Sequence, residues 1–176
     1  MNISFRKLLD SNEDFALMHK WCKNKYIYEW FEQRELSLNE ITTKYKNKLK
    51  NKEQELFIIK CNQIDIGFTQ IYKFENDNNI KNIERYKNIY EFDIFIGEEE
   101  YLFKGIGSSI IRKINNMIYS NYKADAIILR PFKRNIRAIK CYEKCNYKII
   151  DEYKGTDTLN NPETITVLLN EKNTNN

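Results

Sequence analysis

The chain of 176 residues suits one domain, and its 41% hydrophobic residues, with 14% aromatic residues, are ample for a core. It has no apolar run long enough to cross a bilayer, and its first residues lack the apolar core of a signal peptide, so we expect a cytoplasmic protein without a membrane partner. The net charge of +4 comes from lysines spread along the chain, whereas nucleic-acid-binding proteins concentrate them on one face, so we expect no nucleic-acid partner.

Cysteine and histidine usage argues against a metal site. The four cysteines are scattered, and Cys141 and Cys145 are spaced to share one helix face instead of forming a Cys-x-x-Cys pair. His19 is the single histidine, which leaves too few zinc ligands, so we expect reduced thiols and no metal. We interpret His19 as a residue on a helix surface and not as a catalytic base.

The N-terminal segment predicts a strand followed by a helix. Ile3–Leu9 alternates enough for a strand. Either Asp10 or Ser11 can cap a helix that runs to about Lys23, with apolar residues recurring at helical spacing. The aromatic segment Tyr26–Phe31 comes next, and it fits either a short core helix or the lining of a substrate site.

A second helix is predicted with a defined start. Ser37 and Glu40 form the capping-box pattern, in which each side chain bonds the backbone N–H of the other residue. Apolar residues then repeat at helical spacing, which predicts an amphipathic helix over Leu38–Lys50. The lysine-rich run Lys46–Lys52 is interpreted as the solvated end of this helix.

Two strands, Glu55–Cys61 and Asp65–Phe74, are predicted to form a hairpin. The intervening Asn62-Gln63 pair fits a two-residue turn. Gly67 lies inside the second strand, where a glycine indicates a bulge or a close approach of another backbone. The polar segment Asn76–Asn82 is expected to be a mobile, solvated connector.

The stretch Glu91–Ser108 carries the main functional signal of the local sequence. It predicts the end of a strand that covers Ile89–Ile96, an acidic loop, and a turn with Gly105 and Gly107 that opens a helix. Glycine permits positive φ and close approach of a ligand, and a helix N-terminus attracts anions. On local sequence alone, this turn fits either a phosphate site or an ordinary tight turn.

The C-terminal third continues with strands and helices in alternation. Ala126–Leu129 is wholly apolar, which is typical of a strand buried on both faces. Asn135 can cap the next helix, and Asn146 lies where a helix end needs a left-handed residue. The remaining segments are two strands and a polar tail expected to be disordered: Tyr147–Tyr153, Thr164–Leu169 and 171–176.

This order of elements predicts an α/β or α+β fold around one mixed sheet, with residues 1–170 forming a single domain. Together with two motifs, it resembles the GNAT superfamily of acyl-CoA-dependent N-acetyltransferases. Leu102–Gly107 matches the (Gln/Arg)-x-x-Gly-x-(Gly/Ala) signature except at Leu102. Asn135–Tyr147 resembles the N-x-x-A-x-x-x-Y-x-K-x-G-F segment, with Asn146 in place of the usual glycine. The resemblance implies a mostly antiparallel sheet of six to seven strands flanked by helices, with splayed fourth and fifth strands.

Within that superfamily, four segments are similar to aminoglycoside 6′-N-acetyltransferases. They are Asp93–Glu98 with Lys104–Gly107, the strand Ile66–Tyr72, the aromatic patch Glu29–Phe31, and Arg137–Lys144. One position departs from those enzymes, which commonly carry Asp-Pro after the fifth strand, where the Asp helps to bind the cationic drug. Here the pair is Arg130-Pro131, and this reversal of charge can weaken or redirect recognition of a cationic acceptor.

The resemblance implies direct acetyl transfer without a protein nucleophile. It assigns Asp93 as the base or ammonium anchor and Tyr142 as the acid that protonates the departing thiolate. Acetyl-CoA is the implied cosubstrate, with its pyrophosphate on backbone N–H groups of the glycine turn and its pantetheine arm along the fourth strand. The implied cofactor-binding residues are Ile94, Phe95, Ile96, Phe103, Lys104, Gly105, Ile106, Gly107, Ser108, Ser109, Asn135, Ala138 and Tyr142.

The expected acceptor is the amine of a cationic small molecule. Acidic residues near Asp93, including Glu98–Glu100 and, if the fold brings them near, Glu29, Glu32 and Glu35, would make a locally acidic cleft on a basic protein. The residues expected to bind the acceptor are Trp30, Phe31, Gln70, Tyr72, Glu91, Asp93 and Arg130.

Three hypotheses about function stay open on the sequence. The favoured one is acetylation of an aminoglycoside 6′-amine, which would link the protein to antibiotic resistance. The second is acetylation of a polyamine, a peptide N-terminus or a siderophore precursor, with Arg130 available to pair with a carboxylate of the substrate. The third is a non-catalytic module that binds CoA or senses a cation. The protein is expected to be a monomer or a homodimer.

Overall fold

Both helices and strands occur along residues 1–75, 77–81 and 83–172, the part of the chain described by the computed structural model. The strands are β1 (Ile3–Lys7), β2 (Gln54–Cys61), β3 (Ile64–Lys73), β4 (Ile89–Ile96), β5 (Ala126–Leu129), β6 (Lys148–Thr156) and β7 (Pro162–Glu171). The helices are α1 (Asn12–Cys22), α2 (Lys25–Tyr28), α3 (Leu38–Lys50), α4 (Ile106–Asn121) and α5 (Ile136–Glu143), with a 3₁₀ turn over Glu99–Tyr101.

The strands form a seven-stranded sheet in the order β1-β2-β3-β4-β5-β7-β6. The pairs β1/β2, β5/β7 and β6/β7 are antiparallel. By contrast, β4 and β5 are parallel and pair through three residue pairs, Ile89↔Ala126, Tyr90↔Ile127 and Glu91↔Ile128. The mixed, mostly antiparallel α/β sheet expected from the sequence is confirmed.

The described residues group into two units. The first contains Met1–Ile71 and Asp93–Lys104, and the second contains Tyr72–Phe92 and the chain from Gly105 onward. Asn76 and Asn82, the ends of the expected mobile connector, and residues 173–176 of the expected tail lie outside the described residues. Mobility of the connector and disorder of the tail therefore stay predictions, as does the single domain over 1–170.

Several elements coincide with the predicted bounds because local side chains define their ends. The helix Leu38–Lys50 begins with the predicted capping box: the Ser37 hydroxyl accepts from the Glu40 N–H, and the Glu40 carboxylate accepts from the Ser37 N–H at 2.8 Å. The strands Ile89–Ile96 and Ala126–Leu129 are also confirmed to the residue. Asn146 has a φ of 67°, in the left-handed region, as predicted for the position after α5.

Other boundaries differ from the predictions for reasons of tertiary structure. The first strand ends at Lys7, and of the two candidate caps for α1 it is Ser11 that accepts from the Asp14 N–H. Within Tyr26–Phe31, only the part up to Tyr28 is helical, and turns follow. The last two strands are longer than predicted because β6 and β7 pair along nearly their whole length, from Lys148↔Leu169 to Thr156↔Pro162.

The core of the first unit is aromatic. Phe95 of β4 lies edge-on to Trp21 and Phe31, with ring centroids 6.1 Å and 5.6 Å apart, and its centroid is 5.5 Å from that of Phe68. Trp21 is fully buried, and its indole N–H donates to Glu98 at 2.8 Å. Glu98, expected in a solvated loop, therefore anchors the start of that loop to α1.

Two glycines permit this packing. A Cβ on Gly67 would lie 2.3 Å from the Phe95 carbonyl oxygen, so the predicted close backbone approach is confirmed. A Cβ on Gly97 would lie 2.2 Å from Cγ of the Trp21 ring. Both positions need glycine because another group fills the space, although their φ angles are ordinary.

Gly97→Ala is expected to lower the free energy of unfolding by about 1–3 kcal/mol, because the added methyl group displaces a fully buried indole. Denaturant-induced unfolding, followed by tryptophan fluorescence, measures this change. Gly107→Ala is the matched control, since its Cβ would meet only Cys141 Sγ, at 3.4 Å. An unchanged midpoint for Gly97→Ala would contradict this description of the Trp21 site.

Candidate functional site

A small pocket in the first unit contains the predicted base. Five of its twelve lining residues are aromatic, and its cavity of about 30 Å³ has room for one or two water molecules. Asp93 of β4 and Gln70 of β3 supply polar groups on one side, and α3 supplies the other. The lining residues are Cys22, Ile27, Tyr28, Phe31, Glu32, Lys44, Tyr45, Lys48, Phe68, Gln70, Asp93 and Phe95.

A hydrogen-bonded chain joins Asp93 to a lysine on α3. The Gln70 amide N–H donates to Asp93 Oδ2, and the Lys48 ammonium donates to Gln70 Oε1 at 2.7 Å. This arrangement fixes the orientation of the Gln70 amide group, because an ammonium can only donate and a carboxylate can only accept. Thr69 Oγ1 adds a 2.8 Å bond to the backbone carbonyl of Asp93, which holds the strand beneath the carboxylate.

The ionic balance of the pocket is neutral. Glu32 and Lys44 form an ion pair, and Lys48 and Asp93 are joined through Gln70. Burial, with Lys44 nearby, lowers the pKa of Lys48, although the Asp93 and Glu32 carboxylates act in the opposite direction. The locally acidic cleft expected from the sequence therefore needs correction at this point, since two lysines accompany the two carboxylates.

The thiol in this pocket is suited to packing. Burial raises the pKa of Cys22 to about 11. The thiolate, which is the nucleophilic form, is therefore scarce near neutral pH. This fits the sequence-based expectation of direct transfer without a protein nucleophile.

The sequence did not identify Lys44 and Lys48 as residues of this pocket. Lys48 was assigned to the solvated end of α3, but it is half-buried. A signal existed: Lys44 and Lys48 follow the buried Ile41 by three and seven residues, which places all three on one helix face.

Three predicted acceptor-binding residues, Phe31, Gln70 and Asp93, line this pocket, and Trp30 lies half-buried beside Phe31 in the chain. The other three belong to the second unit. Tyr72 is half-buried near the end of β3. Glu91 and Arg130 form an ion cluster described next.

Arg130 is bound by carboxylates of its own unit. Its guanidinium donates to both oxygens of the buried Glu91, at 3.0 Å and 2.8 Å, and to Asp77 at 3.1 Å. It also lies over the Phe74 ring, 5.3 Å from the centroid. Burial lowers the pKa of Arg130, but its bonds to Glu91 outweigh this and raise it above its usual value. The positive charge at this position is therefore compensated from within the protein.

The glycine turn before α4 has the backbone that an anion site requires. Phe103 and Gly105 adopt positive φ, 61° and 73°, and Gly105 is the N-cap of the 16-residue helix α4. Space is open around Gly105, where a Cβ would meet no atom of the described chain within 4 Å. Lys104, Gly105 and Ser109 are exposed. The N–H groups of the first turn of α4 are thus available to a phosphate, which fits the expected CoA site.

Helix α5 packs beside the start of α4 and carries Tyr142. Ser108 Oγ lies 3.5 Å from Cys141 Sγ, and Gly107 leaves room for the same sulfur. Asn135 caps α5 by accepting from the Ala138 N–H at 3.2 Å, as predicted. The buried Tyr142 ring lies edge-on to Phe92, at 6.5 Å, and 5.8 Å from Tyr147.

The remaining predicted cofactor-binding residues lie on β4, on the glycine turn and at the start of α4, and they differ in burial. Phe95 points into the aromatic core, whereas its neighbours Ile94 and Ile96 are half-buried on the opposite face. Ile106 is buried beneath the glycine turn, and Phe103 is 82% exposed on it. Asp93 belongs to the first unit and Tyr142 to the second.

The described ranges, 1–75, 77–81 and 83–172, contain neither a metal-binding cluster nor a helix that could span a membrane. They contain no group of three or more His, Cys, Asp or Glu side chains placed to hold a metal ion. None of the helices in these ranges has the length and apolar character that a membrane span requires.

Comparison with protein families gives a match over most of the chain. A family model described as an acetyltransferase (GNAT) domain matches residues 10–154. An aminoglycoside N(6')-acetyltransferase type 1 from Klebsiella pneumoniae is 25% identical over 170 residues, which cover 89% of this chain and 78% of that protein. An N-hydroxyputrescine acetyltransferase from Acinetobacter baumannii is 21% identical over 144 residues, which cover 82% of this chain and 66% of that protein.

Solved structures share this fold. The aminoglycoside acetyltransferase AAC(6')-Ib, in complex with coenzyme A and kanamycin, aligns with a TM-score of 0.78 at 19% identity, over 97% of this chain and 95% of that one. Spermidine N-acetyltransferase from Vibrio cholerae, in complex with CoA and spermine, aligns with a TM-score of 0.75 at 18% identity, over 96% of this chain and 95% of that one.

Proposed function

The chain belongs to the GNAT acetyltransferase family, and from that premise we propose that it transfers an acetyl group from acetyl-CoA to a primary amine of a cationic small molecule. The favoured acceptor is the 6′-amine of an aminoglycoside. The observation that carries this proposal is the Asp93 carboxylate, held by Gln70 in an aromatic pocket that admits only a small group. A cytoplasmic location and a role in antibiotic resistance go with this proposal.

Asp93 acts on the amine. An ammonium that enters the pocket meets the carboxylate, which accepts its proton directly or through one water molecule and so exposes the nitrogen lone pair. The cavity that Phe31 and Phe68 help to line has room for only one or two water molecules, and an aromatic ring stabilises a cation that lies over its face. The neutral amine then attacks the carbonyl carbon of the thioester, and the carbon–sulfur bond breaks.

The glycine turn holds the cosubstrate, which supplies the activated acetyl thioester. The backbone N–H groups that open α4 bind pyrophosphate oxygens, and the exposed Lys104 and Ser109 lie beside them. The edge of β4 at Ile94 and Ile96 orients the pantetheine arm. Tyr142 protonates the departing thiolate and regains a proton from the attacking nitrogen, which must lose its second proton as the amide forms. The proton taken by Asp93 leaves to solvent, so both residues return to their starting protonation states.

Relatives with different acceptors support a second candidate function. The Klebsiella relative is named for an aminoglycoside, whereas the Acinetobacter relative is named for N-hydroxyputrescine. A polyamine, a peptide N-terminus or a siderophore precursor is therefore the alternative acceptor. Because Arg130 is bound by Glu91 and Asp77, the aminoglycoside proposal does not need this arginine to contact the drug.

Measuring CoA release with kanamycin, spermidine and short peptides tests the proposal. We expect turnover with kanamycin, together with a mass increase of one acetyl group on the drug. Turnover with spermidine or peptides alone would favour the second candidate. Tight binding of CoA without turnover on any amine would identify a non-catalytic module and overturn both.

Tyr142→Phe is expected to lower kcat by about 10²-fold, because the departing thiolate loses its proton donor, while acetyl-CoA affinity stays nearly unchanged. Steady-state kinetics and acetyl-CoA titration measure the two quantities. Tyr147→Phe is the matched control, since this neighbouring buried tyrosine donates to Asn115 at 2.7 Å and has no proposed chemical role. A similar loss of kcat in both variants would remove the assignment of Tyr142.

A further inference from the structure

We propose that Lys48 is a specificity-determining residue of the acceptor pocket: its ammonium, held next to Asp93 by Gln70, selects acceptors that carry one positive charge on the reacting ring or chain end. The inference rests on the proposed function, which it deepens by naming the acceptor class. It concerns the local charge around the reacting amine and not the total charge of the acceptor.

The Lys48 charge lies close to Asp93. Its side chain is half-buried, and its ammonium lies 2.7 Å from Gln70 Oε1, while the same amide donates to Asp93. Only one amide group therefore separates the lysine charge from the carboxylate that anchors the acceptor. Three elements, α3, β3 and β4, hold this arrangement.

The pocket lining contains two carboxylates and two lysines. The other ionic pair of the lining, Glu32 with Lys44, is satisfied internally and leaves Lys48 and Asp93 to set the field that an acceptor meets. One ammonium next to Asp93 is attracted by the carboxylate. A second ammonium within a few ångströms meets the Lys48 charge in a partly buried site, where charges interact more strongly than in water.

The cavity is small compared with a whole acceptor molecule. A cavity of about 30 Å³ admits an aminomethyl group but not a whole sugar ring. The substituents next to the reacting amine therefore remain outside the cavity that Lys48 helps to line, and their charge decides how the lysine affects binding. A hydroxyl or an anionic group is tolerated there, whereas a second ammonium is repelled.

Kanamycin A and kanamycin B provide a matched pair of probes. The ring that carries the 6′-amine bears a 2′-hydroxyl in kanamycin A and a 2′-amine in kanamycin B, and the molecules are otherwise the same. We expect the wild-type protein to favour kanamycin A by about tenfold in kcat/KM, the size of a modest charge repulsion in a partly exposed site. Most of the difference should lie in KM.

Substitutions at Lys48 then test its role. Lys48→Met and Lys48→Gln are expected to bring the ratio of the two kcat/KM values close to one, chiefly by lowering the KM for kanamycin B. Lys48→Arg keeps the charge and should keep the preference. Lys50→Met is the matched control, because Lys50 is exposed on the same helix. Thermal unfolding confirms that each variant is folded, and the Gln variant preserves a hydrogen bond to Gln70 if the Met variant is unstable.

The outcomes separate the inference from the function on which it rests. Equal use of both kanamycins by the wild type, or a ratio that survives Lys48→Met and Lys48→Gln, overturns the inference alone. More efficient transfer to spermidine than to kanamycin A also overturns it, since spermidine carries further ammonium groups near each primary amine. Absence of transfer to every amine overturns the proposed function, and the inference with it.

Discussion

Asp93→Asn is expected to lower kcat for acetyl transfer by about 10²- to 10⁴-fold, the range over which general bases act. The substitution keeps the shape of the side chain and an oxygen that can accept from Gln70, but it removes the group that accepts the ammonium proton. Because the proposed CoA site uses backbone groups of the α4 turn, acetyl-CoA affinity should change little. Kinetics at saturating acetyl-CoA, with calorimetric titration of acetyl-CoA, measure both quantities.

The control for this prediction is Asp10→Asn, which removes the same charge from an exposed position of the same unit. It should leave kcat and acetyl-CoA affinity at their wild-type values. A parallel fall of kcat and acetyl-CoA affinity in Asp93→Asn would show that Asp93 supports the structure of the site as a whole. In that case its assignment as base or ammonium anchor would be wrong.

The role of Asp93 also predicts how its effect depends on pH. The amine must be neutral to attack, and raising the pH deprotonates a growing fraction of it without help from the protein. The deficit of Asp93→Asn should therefore shrink as the pH rises toward the pKa of the free amine. A deficit that is constant with pH would indicate that the residue acts mainly through electrostatic attraction.

The elements predicted well from the sequence are those whose signals lie within a few residues of each other. Ser37 and Glu40 define the start of α3 through two local hydrogen bonds, and Asn146 takes the left-handed conformation that follows α5. Asn62 and Gln63 also have positive φ, 48° and 71°, as the predicted two-residue hairpin turn requires. In each case the side chains or backbone angles involved are neighbours in the chain.

The features of the fold and of the site that could not be predicted depend on contacts between residues that are distant in the sequence. Lys48 was assigned to solvent because a lysine-rich run usually is exposed, but its partner Gln70 lies on another element, β3. Glu98 was assigned to a solvated loop, and its partner Trp21 is on α1. The position of a residue in a helical pattern indicates whether its face of the helix is buried. It does not indicate which polar group of another element will bond to that residue.

Arg130 shows the same limit for function. By comparison with the family pattern, the positive residue after the fifth strand predicts altered recognition of the acceptor. The structure adds the partner: parallel pairing of β4 with β5 places Glu91 opposite Ile128, two residues before Arg130. The positive charge of Arg130, which departs from the family pattern, is thereby neutralised. We therefore expect Arg130 to act mainly on the stability of the fold.

Arg130→Met is expected to lower the free energy of unfolding by about 3–5 kcal/mol, because it leaves the buried Glu91 carboxylate without its bidentate partner. Methionine keeps most of the length of the side chain, and so most of its contact with Phe74. Denaturant unfolding at neutral pH measures the change. The loss should diminish as the pH falls and the Glu91 carboxyl, no longer bonded to residue 130, becomes protonated.

The double variant Glu91→Gln with Arg130→Met separates the ion pair from packing. Removing the buried charge as well should recover most of the stability, since the cost of a broken buried pair comes mainly from the charge left behind. Arg85→Met is the matched control: Arg85 pairs with Glu171 in an exposed ion pair, for which a change of less than about 1 kcal/mol is expected. If the two changes at Glu91 and Arg130 simply add, the pair is not coupled, and Arg130 is then available to act on the acceptor instead of on Glu91.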